Sequence, residues 1–211
     1  MTYDELIKNP DYSLIETLEH AEMKKLIVSE FKQNRGWSRI AMVYQFIGTM
    51  AFTFFLTFSI VKGYKYDNFT DLIWFGLGSL FSLTALIIIH ELIHAIAYLL
   101  VGARHISFGM QLRKFMFYVL SDKDVVNYKQ FKIVALAPAI VVSILSLLAL
   151  VIFHQQPIFY FFLPIFSLHS VFCGGDFGLL CFFQNRQNQK ILTFDVKAEG
   201  KTYFYASKKN I

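Results

Sequence analysis

Three side chains able to bind a metal or move a proton lie close together in the chain: His90, Glu91 and His94. On a helix, two histidines four residues apart lie on one face, close enough to bind a single Zn²⁺ ion. The glutamate beside the first histidine can then act as a general base, as in the H-E-x-x-H pattern. The residue types and their spacing therefore predict a zinc site with hydrolytic chemistry.

The pattern lies inside an otherwise apolar segment, residues 87–100. Ionisable side chains at membrane depth are costly, so three of them in this setting require a partner such as a metal ion. In the alternative interpretation, His90 and His94 donate hydrogen bonds to carbonyls of neighbouring helices, and Glu91 supplies their counter-charge. We favour the metal site, because chance is a poor explanation for the full pattern in a segment that excludes other charge.

The composition is typical of a membrane protein. Hydrophobic residues make up 55% of the 211 residues, 24 residues are Phe, and the mean hydropathy is +0.47. Because the apolar residues come in long blocks, we predict an α-helical polytopic membrane protein with four transmembrane helices and small cytosolic β-hairpin elements. The net charge of +5 does not indicate nucleic-acid binding, since the basic residues lie between the apolar blocks. The expected partner is the lipid bilayer.

The chain is predicted to have three parts. Residues 1–36 form a cytosolic amphipathic helical preface, in which Ser13 and Glu16 fit a capping box. Residues 37–183 form a membrane domain, with spans at about 40–61, 72–101, 133–153 and 157–183. Residues 184–211 form a cytosolic tail with a β-hairpin.

A second hairpin is predicted between the second and third spans. Apolar residues alternate with other residues over 105–121, and Arg113 and Lys114 lie at the turn. An edge strand beside an active site could hold an extended substrate by backbone pairing. A hairpin that only seals the cytosolic face of the protein is the equally weighted alternative.

Basic residues set the expected orientation of the spans. Six Lys and Arg precede or open the first span, two lie between the first and second, six between the second and third, none between the third and fourth, and six follow the fourth. Cytoplasmic loops carry the excess of Lys and Arg. We therefore predict a multi-pass protein of the cell membrane with both termini in the cytoplasm.

Two histidines leave a catalytic zinc one protein ligand short, and Asp176 is the candidate for the third ligand. It is the only carboxylate in the fourth span. At 1.5 Å per helical residue, His90, His94 and Asp176 lie about 16, 10 and 11 Å from the cytosolic ends of their spans. Gly174 and Gly178 have the small-xxx-small spacing that would let this helix approach the second span closely.

These ligands predict a reaction. Zinc would lower the pKa of a bound water to about 7. Glu91 would remove the proton from that water and pass it to the leaving amine. A site at membrane depth favours a membrane protein or peptide substrate whose cleaved segment lies in or next to the bilayer.

The residues resemble a known class of enzyme. His90-Glu91-x-x-His94 on one span, and an aspartate on the next span but one, are similar to the site-2 proteases, and most closely to the small bacterial membrane family of putative zincin peptidases. The resemblance covers about residues 72–183. It implies that His90, His94 and Asp176 hold zinc and that Glu91 is the catalytic base. It also implies a β-structured segment near the site, comparable to the predicted hairpin.

The sequence departs from site-2 proteases around Asp176. Those proteases have Asn-x-x-Pro ahead of an Asp-Gly pair, whereas here Phe177 separates Asp176 from Gly178 and no such Asn or Pro precedes them. His169, two turns before Asp176, could replace the asparagine as a substrate or oxyanion donor. The favoured alternative is a hydrogen-bonded structural histidine.

Two functions from different classes fit these observations. The first is a zinc-dependent intramembrane endopeptidase. The second is a non-catalytic membrane metal-binding protein that acts as a scaffold, a regulator or a transport component. The presence of Glu91 favours the enzyme, because metal binding alone does not need an adjacent base.

Overall fold

A computed structural model describes residues 1–19, 22–33, 36–111 and 116–208. The chain divides into two compact units. The sheet unit comprises Met1–Ser38, Glu91–Ala137 and Gly175–Ile211, and the helical unit comprises Arg39–His90 and Pro138–Gly174.

Helices account for most of the described residues. They are α1 (Tyr3–Lys8), α2 (Met23–Gln33), α3 (Trp37–Tyr66), α4 (Thr70–Leu83), α5 (Ala85–Leu100), α6 (Tyr128–Ile152), α7 (Phe159–Phe172) and α8 (Gly174–Asn185). The strands are β1 (Tyr12–Glu19), β2 (Ile106–Gln111), β3 (Met116–Ser121), β4 (Val126–Asn127), β5 (Ile191–Val196) and β6 (Lys201–Ser207).

Three helical segments of the described chain are long and apolar enough to cross a membrane. They are α3, α6 and the segment Phe159–Asn185, which contains α7 and α8. Helices α4 and α5 give a fourth candidate if they are counted together, although they are bent by 45°. The prediction of a mostly helical protein with small β elements is confirmed. Of the four predicted spans, three are single candidate segments, and the fourth depends on counting α4 and α5 as one span.

The second predicted span is not one straight helix, because it bends at Thr84. The Thr84 hydroxyl donates to the carbonyl of Leu80 at 2.7 Å, and its backbone N–H donates to Phe81. A threonine that hydrogen-bonds back to the preceding turn competes with the helical ladder and bends helices. The histidine pattern therefore lies on α5, a separate helix of 16 residues.

The sheet unit contains a four-stranded sheet with the order β1-β6-β5-β4, in which all the pairs are antiparallel. Strands β5 and β6 form the hairpin predicted for the C-terminal tail. The connection between them ends at Gly200, whose positive φ of 63° suits a glycine. One side of the sheet packs Phe204, Ile191 and Leu18 against Phe182 and Phe183 of α8.

The predicted helix in the N-terminal preface is wrong for residues 12–19. Ser13 and Glu16 do not form a capping box there, because they lie on β1 opposite Ala206 and Phe204 of β6. Pairing with β6 buries Leu18 in the core, and this burial outweighs the local helical pattern. The second half of the preface is helical, as predicted, in α2.

Helix α2 packs against α8, the helix that contains Asp176. A Cβ atom on Gly178 would clash with Ile27 of α2, so the absence of a side chain at Gly178 allows the two helices to meet. Further along, the buried Glu30 carboxylate accepts hydrogen bonds from Arg186 at 2.9 Å and from Asn185 at 2.6 Å. The predicted role of Gly178 in packing against the second span is therefore wrong, since its neighbour is α2.

The helical unit contains α3, α4 and α7, together with the start of α5 and most of α6. A Cβ atom on Gly78 of α4 would clash with the carbonyl oxygen of Phe161 in α7, so these helices pack with their backbones close together. Lys62 at the end of α3 pairs with Asp71 of α4 at 2.5 Å. Gly174 lies against Gln45 of α3, and this contact also differs from the predicted packing against the second span.

The predicted hairpin at residues 105–121 is confirmed as the antiparallel pair β2 and β3. Ile106 lies opposite Ser121, and Phe108 lies opposite Val119. The predicted turn residues, Arg113 and Lys114, lie outside the described residues.

Candidate metal centre

Helix α5 carries the first two predicted metal ligands. His90 and His94 are both buried and lie four residues apart in this continuous helix, so the two imidazoles lie on one face. Glu91 is half-buried and follows His90 directly. The helix predicted for the H-E-x-x-H pattern is therefore present.

The structure brings Asp176 to His94. Asp176 lies in the first turn of α8, where the helix dipole favours a negative charge. Its Oδ1 atom is 3.2 Å from Nε2 of His94. Imidazole nitrogens and carboxylate oxygens are common zinc ligands, and bonds of about 2.1 Å place two of them about 3.4 Å apart on a tetrahedral ion. The spacing of this pair therefore suits two ligands of one zinc ion.

The other ring nitrogen of His94 is also held. Nδ1 lies 3.0 Å from the backbone carbonyl oxygen of Val134 in α6. A carbonyl only accepts hydrogen bonds, so Nδ1 carries a proton, and in the neutral imidazole Nε2 then has the lone pair that a metal ligand needs. The Val134 carbonyl receives no helical hydrogen bond from the residue four positions later, because that residue is Pro138, which lacks an N–H. The carbonyl can therefore accept a hydrogen bond from His94.

A main-chain group of the β2–β3 hairpin holds the predicted base. The backbone N–H of Val119 in β3 donates to Oε2 of Glu91 at 2.8 Å. Val119 therefore directs its N–H away from its opposite residue on β2, Phe108, and toward α5. One edge of β3 thus faces Glu91.

Asp124 anchors the base of this hairpin. Its carboxylate accepts hydrogen bonds from the backbone N–H groups of Arg104 and His105, from the His105 ring and from the Ser121 hydroxyl. Burial raises the pKa of Asp124, but these hydrogen bonds together outweigh it and lower the pKa to about 2. The ionised carboxylate therefore ties the chain before β2 to the end of β3.

His90 has a different kind of partner, a side chain of α7. Its Nδ1 atom lies 3.0 Å from Nε2 of His169, and both imidazoles are buried. The Sγ atom of Cys173 lies 3.6 Å from Nδ1 of His169. These contacts are those expected of a hydrogen-bonded histidine, and the role of His169 as an oxyanion donor stays a prediction.

Two of these contacts could not be read from the sequence. The bond from Val119 to Glu91 depends on which edge of β3 faces α5, and residue types alone do not indicate this. The Val134 carbonyl did leave a signal, because Pro138 in an apolar helix predicts a freed carbonyl four residues earlier. The identity of its donor, His94, required the structure.

Comparison with protein families agrees with this site. A family model described as putative zincin peptidase matches residues 83–191, just over half of the chain. The matched segment contains α5, the hairpin and α6 to α8, and with them His90, Glu91, His94, His169 and Asp176. Comparisons with curated proteins and with solved structures find no match. With the pattern on a helix and a carboxylate beside its second histidine, the chain belongs to the putative zincin peptidase family.

Proposed function

We propose that the protein is a zinc-dependent intramembrane endopeptidase similar to the site-2 proteases. Family membership implies a zinc metallopeptidase. In the proposal, His90, His94 and Asp176 hold the zinc ion and Glu91 is the general base. The substrate is a membrane protein or peptide that is cleaved within or next to the bilayer.

The observation that carries this proposal is the pairing of His94 with Asp176. Two ligand types that zinc uses lie 3.2 Å apart, although 81 intervening residues separate them in the chain. The hydrogen bond to Val134 occupies Nδ1 of His94 and leaves Nε2, the nitrogen beside this carboxylate, available to a metal ion. His90, one turn earlier on the same face of α5, supplies the remaining ligand.

The chain's own residues supply the proton transfers. A zinc ion held by His90, His94 and Asp176 would polarise the scissile carbonyl and activate a water molecule as the nucleophile. Glu91 takes the proton from that water and delivers it to the leaving amine. Val119 holds Oε2 of Glu91 with its N–H and so limits the positions that the carboxylate adopts during the transfer.

The proposed membrane arrangement has four spans, with α4 and α5 together forming the second. Its support is the set of apolar helices and the placement of Lys and Arg between them, which favours a cytoplasmic location for both termini. A substrate must unfold locally to expose a peptide carbonyl. The edge of β3 that faces Glu91 offers backbone groups to an extended segment.

The test compares purified wild type with Glu91→Gln in detergent micelles or liposomes. We expect both proteins to contain equal zinc, and only wild type to cleave tagged membrane peptides from a panel. Loss of a general base lowers the rate by about 10² to 10⁴-fold. Glu22→Gln is the matched control, because this carboxylate is exposed and pairs only locally, with Lys25.

Two results would contradict the proposal. If Glu91→Gln cleaves as fast as wild type, the base is misassigned. If both proteins hold zinc and neither cleaves any peptide of the panel or any co-expressed membrane protein, the non-catalytic metal-binding function is favoured.

A further inference from the structure

His169 is a buried ionisable side chain that the proposed reaction does not use. It lies in α7 with no exposed surface, and its ring centroid is 5.1 Å from that of His90. Both of its ring nitrogens have partners in the helical unit, Nε2 with His90 and Nδ1 with Cys173. Such a placement in an apolar helix requires an explanation.

The positions of the protons follow from the proposed function, on which this inference rests. A neutral imidazole carries one proton, so His90 can offer Nε2 to a metal only if its proton is on Nδ1. His169 must then accept that hydrogen bond at Nε2 and carry its own proton on Nδ1. That nitrogen is the one nearer to the sulfur of Cys173, a weak acceptor.

We propose that His169 is a positioning residue that holds His90 in the tautomer and ring orientation needed for metal binding. Histidine ligands of metals almost always donate their other N–H group to an acceptor. His94 has the Val134 carbonyl as its acceptor, and His169 is the corresponding acceptor for His90. The sulfur of Cys173 in turn accepts the hydrogen bond that Nδ1 of His169 donates.

The contacts argue against two other roles for His169. A donor to the substrate needs a ring nitrogen turned toward the reacting carbonyl, whereas both nitrogens of His169 contact buried side chains of its own unit. A second metal site is the other possibility, because His90, His169 and Cys173 offer ligand atoms within 4.8 Å of one another. The experiment below separates this site from a hydrogen-bonded chain.

The experiment measures zinc affinity by competition with a chelator, using the full chain in detergent. His169→Leu removes the acceptor, and we expect about 10 to 100-fold weaker zinc binding, the usual cost of losing such a partner. His169→Gln places an amide oxygen near the former Nε2 atom, and we expect affinity within about threefold of wild type.

The matched control is Ser170→Ala. Ser170 is the next residue of α7, is equally buried, and donates only to the carbonyl of Ser167. We expect its zinc affinity to equal that of wild type. Should His169→Leu not elute as a single folded species, His169→Gln carries the test, and a loss as large as that of His94→Ala would overturn the proposal.

Cobalt substitution identifies a metal-bound sulfur. Thiolate ligands give Co²⁺ an intense near-ultraviolet charge-transfer band that nitrogen and oxygen ligands lack. We expect no such band in wild type, because Cys173 accepts a hydrogen bond rather than binding the metal. A band that Cys173→Ser abolishes would overturn the proposal and assign His90, His169 and Cys173 as ligands.

The remaining outcomes separate this inference from the proposed function. Zinc binding that weakens in His169→Leu and recovers in His169→Gln supports the positioning role, even if wild type cleaves no peptide and the enzymatic proposal fails. Unchanged affinity in His169→Leu overturns the positioning role but leaves Glu91-dependent cleavage intact. A wild type that binds no zinc overturns both.

Discussion

The two regions of α5 hold their functional side chains in different ways. In the sheet unit, main-chain groups bond to Glu91 and His94, namely the N–H of Val119 and the carbonyl of Val134. In the helical unit, a side chain, His169, bonds to His90. A main-chain partner is kept in most substitutions, with proline as the exception for an N–H donor, whereas a side-chain partner is lost by a single substitution. The two histidines of one motif should therefore differ in their sensitivity to changes nearby.

The largest effect is expected when either imidazole is removed. His90→Ala and His94→Ala should each weaken zinc binding by more than about 100-fold, the upper end of the cost of losing only an outer partner. The measurement is chelator competition. His154→Ala, which changes a histidine bonded to the nearby Val151 carbonyl, is the control and should bind zinc as wild type does. If one of the two variants keeps wild-type affinity for zinc, that histidine is not a ligand. The two regions of α5 would then not support two ligands of one metal ion.

The next effect concerns the hairpin that carries Val119. The pKa of Asp124 is about 2 in the folded protein and about 3.9 when unfolded, so the unfolded chain binds more protons between these values. The ionised Asp124 carboxylate therefore contributes about 2 kcal/mol to the free energy of unfolding. This contribution is complete above about pH 4 and is lost as the pH falls through about 2. The protection of the amides of Arg104 and His105 against hydrogen exchange, measured relative to the intrinsic exchange rate at each pH, should fall over this window.

Asp124→Asn separates the stabilisation due to Asp124 from that due to the other carboxylates. The variant should show faster exchange at these amides near neutral pH and no additional acceleration between pH 4 and 2 relative to the rest of the sheet unit. An exchange profile identical to that of wild type would mean that Asp124 does not anchor the hairpin.

Val119→Pro tests the main-chain support of Glu91 directly. Proline removes the N–H that bonds to Glu91, and this N–H is not part of the β2–β3 ladder. We expect kcat to fall about tenfold, equivalent to about 1.4 kcal/mol, with zinc content unchanged. Phe117→Pro removes an N–H from the same edge two residues earlier and is the control. Equal losses in the two variants would indicate a general effect on the hairpin.

The smallest effect is expected at Pro138. Pro138→Ala restores an N–H that can bond to the Val134 carbonyl within α6, in competition with the His94 ring. We expect zinc affinity to fall by about threefold, because a carbonyl can accept two hydrogen bonds. Pro164→Ala is the matched control, since Pro164 also lies inside an apolar helix but frees the carbonyl of Tyr160. A larger loss of zinc affinity in Pro164→Ala than in Pro138→Ala would contradict the proposed link between Pro138 and His94.

The sequence predicted the helical apolar segments and both hairpins because the periodicity of hydrophobic residues is local information. It did not predict β1, because pairing with β6 and the burial of Leu18 depend on residues almost 200 positions away. Nor did it predict the bend at Thr84, where one hydroxyl competes with the helical ladder. The first error concerns a strand partner that is distant in the chain, and the second concerns a single side-chain hydrogen bond that hydrophobic periodicity does not register.

At the candidate site, the residue types alone determined the proposed chemistry, in which two imidazoles and a carboxylate hold a metal and a second carboxylate acts as base. Their four-residue spacing follows from the helix period, which the sequence carries. Only the tertiary structure decided what orients them, since the partners of Glu91 and His94 are main-chain atoms, and even the carbonyl that Pro138 frees does not indicate its donor. The hydrogen bond between His90 and His169 likewise joins residues 79 positions apart, and only the packing of the helical unit brings them together.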